Sequence, residues 1–330
     1  MKIKILIALL FSFTTVKAQD PIFTQYFMAP QSNNPGFTGF METTYAGIIH
    51  RSQWPSSDLK IVTNYAFLNM WVEDMNSGIG VSFLNHRESF TDYHYNQANI
   101  SYSYRVQLEN DWYFRPAIEV GFGNKSYGFQ NLVLEDQLNI GTGTIDATSI
   151  DPVALNEKLN FIDFSAGALF NNEFAWIGLS LKHLNRPNIS FTQAGNQPLE
   201  MFMSISGGYE LPVANFLTTF LPFDTKMIFL GNYMRQSEFN RFDLGTQLIV
   251  GPAYVGIVAA TNPGRKSDNS HLLTSINLIA GLQYENFRFG YSYDMNTSGI
   301  GRTGGIHELG MTYQFDLKAS CFGCPDYFQD

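Results

Sequence analysis

The sequence predicts an all-β protein, a transmembrane antiparallel β-barrel of about 14 strands with short terminal extensions. Three observations predict this fold. Charged residues make up only 15% of the 330 residues, against about 25% in ordinary soluble domains. Alternation between large apolar and small or polar residues recurs from about residue 42 onward. After the first few residues, no apolar stretch approaches the roughly 18 residues of a spanning helix, and a closed barrel is the other fold that satisfies every backbone group in lipid.

The alternation is clearest near residues 286–296. Phe287 and Tyr291 fall on one face of this segment, and Arg288 and Asp294 fall on the other. Large apolar residues outward and small or polar residues inward are typical of a strand between lipid and a lumen. The pattern places four side chains on the lipid face: Ile118, Leu244, Leu278 and Tyr291. It places seven charges on the lumen face, which form either a selectivity path or a solvated interior: Arg115, Glu119, Arg241, Asp243, Arg288, Asp294 and Glu308.

Fourteen segments carry this pattern. They lie near residues 42–51, 59–69, 76–86, 92–106, 111–126, 159–171, 173–183, 199–210, 222–236, 239–250, 252–260, 271–284, 286–296 and 306–317. A soluble β-sandwich also alternates, but its strands average about 5–6 residues, whereas a tilted spanning strand needs about 9–11. The length of most segments therefore favours the membrane barrel.

The connections give an independent check on the strand count. Those after odd-numbered segments include the longest, such as 127–158 and 297–305, and those after even-numbered segments are mostly short, such as 107–110. Outer-membrane barrels have short periplasmic turns and longer extracellular loops. The chain obeys this rule if it starts in the periplasm, with 211–221 as an exception.

Residues 1–18 have the features of an export signal. Two lysines precede an apolar run that ends at Phe13, and Ala18 supplies a small residue at the end of the signal. We expect cleavage between Ala18 and Gln19 and integration into the outer membrane. No cysteine stands at the new N-terminus, so a lipid anchor is not expected. Removal of three lysines lowers the net charge from −9 to −12, which argues against nucleic acid as a partner.

Two segments flank the predicted barrel of residues 42–317. Residues 19–41 contain three prolines and are too polar for a lipid-facing strand. We expect them to fill the periplasmic mouth of the lumen, with a helical turn over 22–27 that Asp20 would cap. A barrel of this size has room for more than side chains, so a filled lumen would make the protein a poor channel. Residues 318–330 form a tail on the periplasmic side.

The sequence offers little for catalysis, and we predict no enzyme activity, cofactor or metal. Nucleophile-elbow, phosphate-loop and His-Glu-x-x-His motifs are not found in it. His307 and Glu308 are adjacent, but neighbouring strand residues point to opposite faces, which spoils their use as a catalytic pair. Cys321 and Cys324 favour a local disulfide in an oxidising compartment; a redox-active pair and a zinc half-site remain as alternatives.

Five stretches together resemble the PorP/SprF family of outer-membrane proteins associated with the type IX secretion system. They are the motifs within 19–26, 34–39, 51–55, 291–294 and 305–315. Each is weak alone, but their order and spacing over the mature chain are specific. One departure is Gly36, where alanine is commoner in the family.

The resemblance implies a non-enzymatic role in export or surface retention of a secreted protein, such as an adhesin with a C-terminal sorting domain. It also implies contact with other type IX secretion components and with outer-membrane lipid. Its motifs mark candidates for a structural or partner-facing role: Asn34, Pro35, Gly36, Gln53, Trp54, Pro55, His307 and Glu308. A transport channel for small solutes is the main alternative function, and an outer-membrane enzyme such as a lipid hydrolase is a third.

Overall fold

The computed structural model describes residues 20–128, 133, 135–139, 141–150, 158–192, 195–213, 222, 225–264, 272–297 and 304–315. Within these residues, fourteen long antiparallel strands form one closed barrel. They are β1 (Tyr45–Gln53), β2 (Ile61–Val72), β3 (Ser77–Glu88), β4 (Tyr93–Tyr104), β5 (Tyr113–Ser126), β6 (Lys158–Asn171), β7 (Ala175–Lys182), β8 (Phe202–Pro212), β9 (Lys226–Gln236), β10 (Phe239–Val250), β11 (Ala253–Thr261), β12 (Leu273–Tyr284), β13 (Phe287–Asn296) and β14 (Ile306–Gln314). The predicted fold class and strand number are confirmed.

The first and last strands close the barrel. β1 pairs with β14 from Tyr45 opposite Gln314 to Gln53 opposite Ile306, so no long strand has a free edge. Two shorter pieces add to this frame. Val106–Gln107 pairs with the start of β5, and the β5–β6 connection contains a small hairpin between Leu138–Asn139 and Thr144–Ile145.

The two ends of the barrel differ in their connections. We call the end at which β1 begins and β14 ends the short-turn end, and the opposite end the long-loop end. The β6–β7, β10–β11 and β12–β13 connections at the short-turn end have two or three residues. The β5–β6 and β7–β8 connections at the long-loop end are much longer. The β8–β9 connection is the exception that the sequence already showed.

The two faces of the wall have opposite chemistry. Ile118 and Leu244 are each 60% exposed on the outer surface, and Leu278 and Tyr291 are exposed as well. The lumen face carries buried charges, among them Arg115, Glu119, Asp243, Asp294 and Glu308. Apolar side chains therefore face outward and charged side chains inward, as the alternation predicts.

In the part of the chain that the structure describes, helical structure is limited to short 3-10 turns, including Pro30–Ser32, Pro35–Phe37 and Glu73–Met75. Among the described residues, no helix is both long and apolar enough to cross a membrane. The expected helical turn over 22–27 is wrong: residues 22–23 have no regular structure and residues 24–28 form a hydrogen-bonded turn. Asp20 does not cap them, because its carboxylate contacts His183 instead.

Candidate functional site

The lumen contains the N-terminal segment, which we define as residues 20–44. Five of its aromatic side chains are at most 3% exposed: Phe23, Tyr26, Phe27, Phe37 and Phe40. They pack against rings of the barrel wall. The ring centroids of Phe23 and Tyr65 are 5.7 Å apart, those of Phe27 and Tyr254 are 6.0 Å apart, and those of Phe37 and Trp176 are 5.2 Å apart. The larger of two buried hydrophobic clusters in the described residues is thus formed between the segment and the wall.

The segment extends from one end of the lumen to the other. Asp20 lies beside His183, which directly follows the long-loop end of β7. Glu42 lies beside Arg115, near the short-turn start of β5. The structure therefore differs from the expected position at the periplasmic mouth alone. The segment is held along the lumen by hydrogen bonds to the wall at intervals, and not by aromatic packing at one mouth alone.

Glu308 receives the segment in the long-loop half of the lumen. Its carboxylate accepts hydrogen bonds from the backbone N–H groups of Thr24, at 2.8 Å, and Gln25, at 2.9 Å. The Thr24 hydroxyl donates to Asp294 at 2.7 Å. Arg51 forms ion pairs with both carboxylates and is itself 6% exposed. The guanidinium offsets the cost of burying acidic groups, and the two carboxylate oxygens that it contacts also accept hydrogen bonds from the N–H and the hydroxyl of Thr24.

Asp20 marks the first described residue of the segment and is bound by two polar groups. His183 lies between two carboxylates, with Nε2 2.6 Å from Asp20 and Nδ1 2.9 Å from Asp163. The backbone N–H of Asp20 donates to the Gln236 side chain at 2.9 Å. Burial on its own lowers the pKa of His183, but the carboxylates of Asp20 and Asp163 outweigh it and raise the pKa to about 9. His183 is therefore protonated at neutral pH and forms ion pairs with both.

The Asn34-Pro35-Gly36 motif lies in the middle of the lumen, where all three residues are buried. Asn34 caps the 3-10 turn that follows, accepting a hydrogen bond from the N–H of Gly36 at 2.8 Å. Its amide group donates to the carbonyl of Ala168 in β6 at 3.0 Å. In this structure the motif is in contact with the wall and has no surface open to another protein.

Glu42 is paired at the short-turn end of the lumen. Its carboxylate forms ion pairs with Arg115 and Arg105, the latter at 2.6 Å. The side chains of Glu42 and Arg115 are 2% and 0% exposed. The Arg115 guanidinium also lies 5.3 Å from the ring centre of Phe40, within the segment. One carboxylate therefore balances two guanidinium groups in a water-poor site.

A close backbone approach fixes the segment to β3. Gly39 has a φ of +65°, and a Cβ added there would lie 2.4 Å from the Cα of Gly78. A Cβ on Gly78 would in turn lie 2.2 Å from the carbonyl oxygen of Thr38. Both positions therefore require glycine, since real Cβ atoms are not found at such distances. The segment also contacts β4, where the hydroxyls of Thr38 and Ser101 are 2.8 Å apart.

The Gln53-Trp54-Pro55 motif lies at the long-loop rim. Trp54 has a φ of +55°, and its N–H donates to the carbonyl of Gly305 at 3.0 Å. Pro55 is exposed, and Gln53 accepts a hydrogen bond from Arg51 at 3.4 Å. The motif thus ends β1 beside the start of β14. Through the hydrogen bond between Gln53 and Arg51, it also contacts the group of charges around Glu308.

His307 and Glu308 point to opposite faces of β14. His307 lies on the outer side, where its Nδ1 is 2.8 Å from the Tyr291 hydroxyl, while Glu308 is 0% exposed in the lumen. They do not form a pair. Cys321 and Cys324 lie outside the described residues. Within the described part of the chain, no group of three or more His, Cys, Asp or Glu residues could hold a metal ion.

Several residues of the lumen contacts were missed at the sequence level: Glu42, Arg51, Arg105, Asp163 and His183. Arg51 and Asp163 could have been found, because each alternates in phase with the inward residues of its strand. Glu42, Arg105 and His183 were included at the ends of predicted segments, but they lie outside the strands of the structure, so alternation does not give their orientation. Their contacts depend on the path of the segment, for which the sequence gives no signal.

Comparison with known proteins identifies the family. The family model described as "Type IX secretion system membrane protein PorP/SprF" matches residues 15–313. Among curated proteins, none matches the chain. Similar solved structures include a FadL homologue from Pseudomonas aeruginosa, with 10% identity, 86% of this chain and 93% of that chain covered, and a TM-score of 0.45. CdiB from Acinetobacter baumannii has 8% identity, with 82% of this chain and 60% of that chain covered, and a TM-score of 0.43. The KdgM porin has 9% identity, with 82% of this chain and 99% of that chain covered, and a TM-score of 0.37.

Proposed function

The chain belongs to the PorP/SprF family of type IX secretion system membrane proteins, and from that premise we propose that it is a plugged outer-membrane barrel that assists export or surface retention of a secreted protein. The family and the barrel architecture indicate an outer-membrane location and contact with other secretion components. The proposed partner is a surface protein with a C-terminal sorting domain, such as an adhesin. The family is described by secretion and not by an enzymatic reaction.

The occupied lumen is the observation that carries the proposal. A barrel for small solutes needs an open path, and here the N-terminal segment occupies the interior with buried aromatic and polar side chains. One cavity beside the segment, between Asp20, Tyr65, Glu119 and His183, has a volume of about 40 Å³, enough for a few water molecules. A second, at the short-turn end beside Tyr254 and Arg288, has a volume of about 410 Å³. A filled barrel leaves its rims and outer wall as working surfaces, which suits docking better than permeation.

The partner is tested by affinity isolation of the tagged full-length protein from outer membranes of its native host. We expect a large secreted protein and other type IX components to co-purify. Pro55→Ala, at the exposed rim, should reduce recovery of the secreted protein, whereas Asn34→Ala should act only through stability, because Asn34 is buried. Recovery of no secreted protein from wild-type membranes would argue against the docking role.

Conductance separates this proposal from the solute-channel alternative. Thr38→Cys combined with Ser101→Cys places two sulfur atoms where hydroxyls now lie 2.8 Å apart, close enough for a disulfide after small adjustments. With Cys321 and Cys324 replaced by serine, the oxidised double variant should conduct as poorly as wild type in planar bilayers. Deletion of residues 20–40 should raise conductance, and each single-cysteine variant serves as a control. A large, stable conductance from the intact or the locked protein would favour the solute channel.

The orientation and processing of the chain are also part of the proposal. Because long loops face the cell exterior in such barrels, the long-loop end is extracellular and the chain leaves β14 on the periplasmic side, where Phe315 donates to Thr44. Cys321 and Cys324 should therefore resist an impermeant thiol reagent in intact, reduced cells and react after permeabilisation. Mass spectrometry of the purified protein should show Gln19 as its first residue. Labelling of intact cells would contradict the orientation.

A further inference from the structure

A continuous row of polar side chains crosses the outer surface of six neighbouring strands. Its members stand directly opposite one another in the register of β1 to β6 and point away from the lumen. In strand order they are His50, Asn64, Asn85, Asn96, Asn124 and Asn160. We call this row the amide row. Five asparagines and a histidine at successive positions are unusual on a wall that is otherwise apolar.

Hydrogen bonds connect most neighbours in the amide row. His50 Nδ1 lies 2.7 Å from Asn64 Oδ1, and the Asn64 amide donates to Asn85 at 3.3 Å. The Asn85 amide donates to Asn96 at 2.7 Å, and on the far side the Asn124 amide donates to Asn160 at 2.7 Å. The oxygens of Asn85, Asn96 and Asn160 are therefore turned toward the amide of the preceding residue in the row.

The same register row is apolar on the other side of His50. It continues over β14 to β10 through Leu309, Tyr291, Ala280, Val255 and Leu248. Because strands in such barrels tilt by about 35–45°, a row perpendicular to the strands crosses the membrane obliquely. The apolar half of the row thus lies in the hydrocarbon layer, and the amide row rises from its edge toward the long-loop end.

The rows above and below the amide row place it at the boundary of the lipid layer. On the short-turn side the next outward residues are apolar: Ile48, Ala66, Phe83, Ala98, Phe122 and Ile162. On the long-loop side the corresponding row includes Arg87, His94 and Lys158 and no acidic residue. Arg87 is 57% exposed at its side chain, and its nearest counter-charge is Asp92 in the adjoining turn, at 2.9 Å.

Each asparagine retains hydrogen-bonding capacity. A carboxamide has two N–H donors and an oxygen with two lone pairs, and the contacts within the row use one donor and one lone pair at most. The unused groups point outward, where hydrocarbon would leave them unsatisfied at a large cost. A partner rich in hydroxyl groups would satisfy them, and the basic row above would attract negative charge although the mature chain is acidic overall.

We propose that the amide row and the basic row above it bind the headgroup of a phosphorylated glycolipid in the outer leaflet. Sugar hydroxyls donate to and accept from the asparagine side chains, one phosphate accepts from Arg87, and a second accepts from Lys158 three strands away. Acyl chains of the same lipid lie against the apolar row that includes Phe83 and Phe122. The lipid is thereby held on the β1–β6 side of the barrel, and the described residues of β9–β12 form no such row.

The test measures binding of purified bisphosphorylated lipid A to the detergent-purified full-length barrel by native mass spectrometry, with phosphatidylglycerol as the anionic lipid without sugar. We expect wild type to prefer lipid A. Asn85→Leu with Asn96→Leu removes two carboxamides at similar volume and should lower lipid A affinity about tenfold, through two lost hydrogen bonds. Asn240→Leu is the matched control, because Asn240 faces outward on β10, outside the row, and bonds Tyr233 at 2.8 Å.

A second variant separates phosphate from sugar recognition. Arg87→Gln should weaken binding of bisphosphorylated lipid A more than binding of the monophosphorylated form, whereas the double leucine variant should weaken both. Folding of each variant is checked by the shift in gel mobility on boiling. Equal affinity of wild type for lipid A and phosphatidylglycerol would overturn the proposal. So would a double leucine variant that folds and binds lipid A as tightly as the Asn240→Leu control.

Discussion

At the short-turn end of the lumen the N-terminal segment supplies the side-chain charge of Glu42, whereas at Glu308 it supplies backbone N–H groups. Glu42 belongs to the segment and balances Arg105 and Arg115 of the wall. Glu308 belongs to the wall and receives the N–H groups of Thr24 and Gln25. The first contact depends on one particular side chain of the segment, and the second tolerates many, because every residue except proline carries an N–H.

The positions of the two contacts along the chain strengthen this difference. Glu42 is three residues before β1 (Tyr45–Gln53), so its ion pairs brace the point at which the segment enters the wall. Thr24 lies about twenty residues earlier and is held only by contacts within the lumen. We therefore expect a loss at Glu42 to destabilise the whole barrel, and a loss at Glu308 to release the early part of the segment while the wall stays closed.

The largest effect is expected from Glu42→Gln. This change leaves Arg115 and Arg105 without their shared counter-charge in a buried site, which costs about 3–5 kcal/mol. The free energy of unfolding in urea, measured on protein refolded into lipid, should fall by that amount. Glu73→Gln is the control, because Glu73 also pairs with Arg105, at 3.9 Å, but is 69% exposed, and exposed pairs contribute about 0–1 kcal/mol. Equal losses in the two variants would contradict the importance of burial.

Glu308→Gln should have a smaller and more local effect. Asp294 remains 3.4 Å from Arg51, so the guanidinium keeps one counter-charge. The lost interactions are mainly hydrogen bonds to a charged acceptor, and their loss should lower the free energy of unfolding by about 1.5–3 kcal/mol. Hydrogen–deuterium exchange should increase in peptides covering 20–28 and stay unchanged in peptides covering 36–43. His307→Gln, one residue away but on the outer face, should change neither. Uniform loss of protection along the segment would mean that its two halves are not independent.

The fold could be predicted largely because alternation is a local property. Ile118 and Glu119 reveal two faces of one strand without any knowledge of its neighbours, and fourteen such segments are enough to define a barrel. The predicted strand boundaries were less accurate, because they depend on backbone conformations that composition does not show. The first strand was expected to begin near residue 42, but Glu42 has a φ of +52° and turns inward, so the strand begins at Tyr45.

The contacts of the lumen could not be predicted because they join residues far apart in the sequence. Arg51 and Glu308 are neighbours only because β1 pairs with β14 to close the barrel. The contact of Asp20 with His183 depends in addition on the path of an irregular segment. Polarity identified residues 19–41 as unlike a strand, but the turns that carry this segment along the lumen arise from packing against the wall.

The pH dependence of the contact between Asp20 and His183 reports on the part of the segment that precedes Thr24. His183 has a pKa raised from 6.5 to about 9 by its carboxylate neighbours, so its stabilising effect is complete below about pH 6.5 and is lost as the pH rises through about 9. Protection of peptides that begin at residue 20 should decrease over this range and recover when the pH is lowered. His183→Gln should remove the dependence. A pH response in peptides covering 36–43 as well would contradict a local origin.

The smallest effect is expected from the Thr24 side chain. Its hydroxyl donates one hydrogen bond to Asp294 at 2.7 Å, while its backbone N–H binds Glu308 independently of the side chain. Thr24→Val keeps the shape and the N–H but removes the hydroxyl, so we expect a loss of about 1.5 kcal/mol, within the range for a hydrogen bond to a charged group. Thr24→Ser retains the hydroxyl and should lie closer to wild type. Urea unfolding and exchange of peptides covering 20–28 measure both variants. A loss from Thr24→Val that exceeds the loss from Glu308→Gln would show that side chains, and not backbone N–H groups, hold this half of the segment.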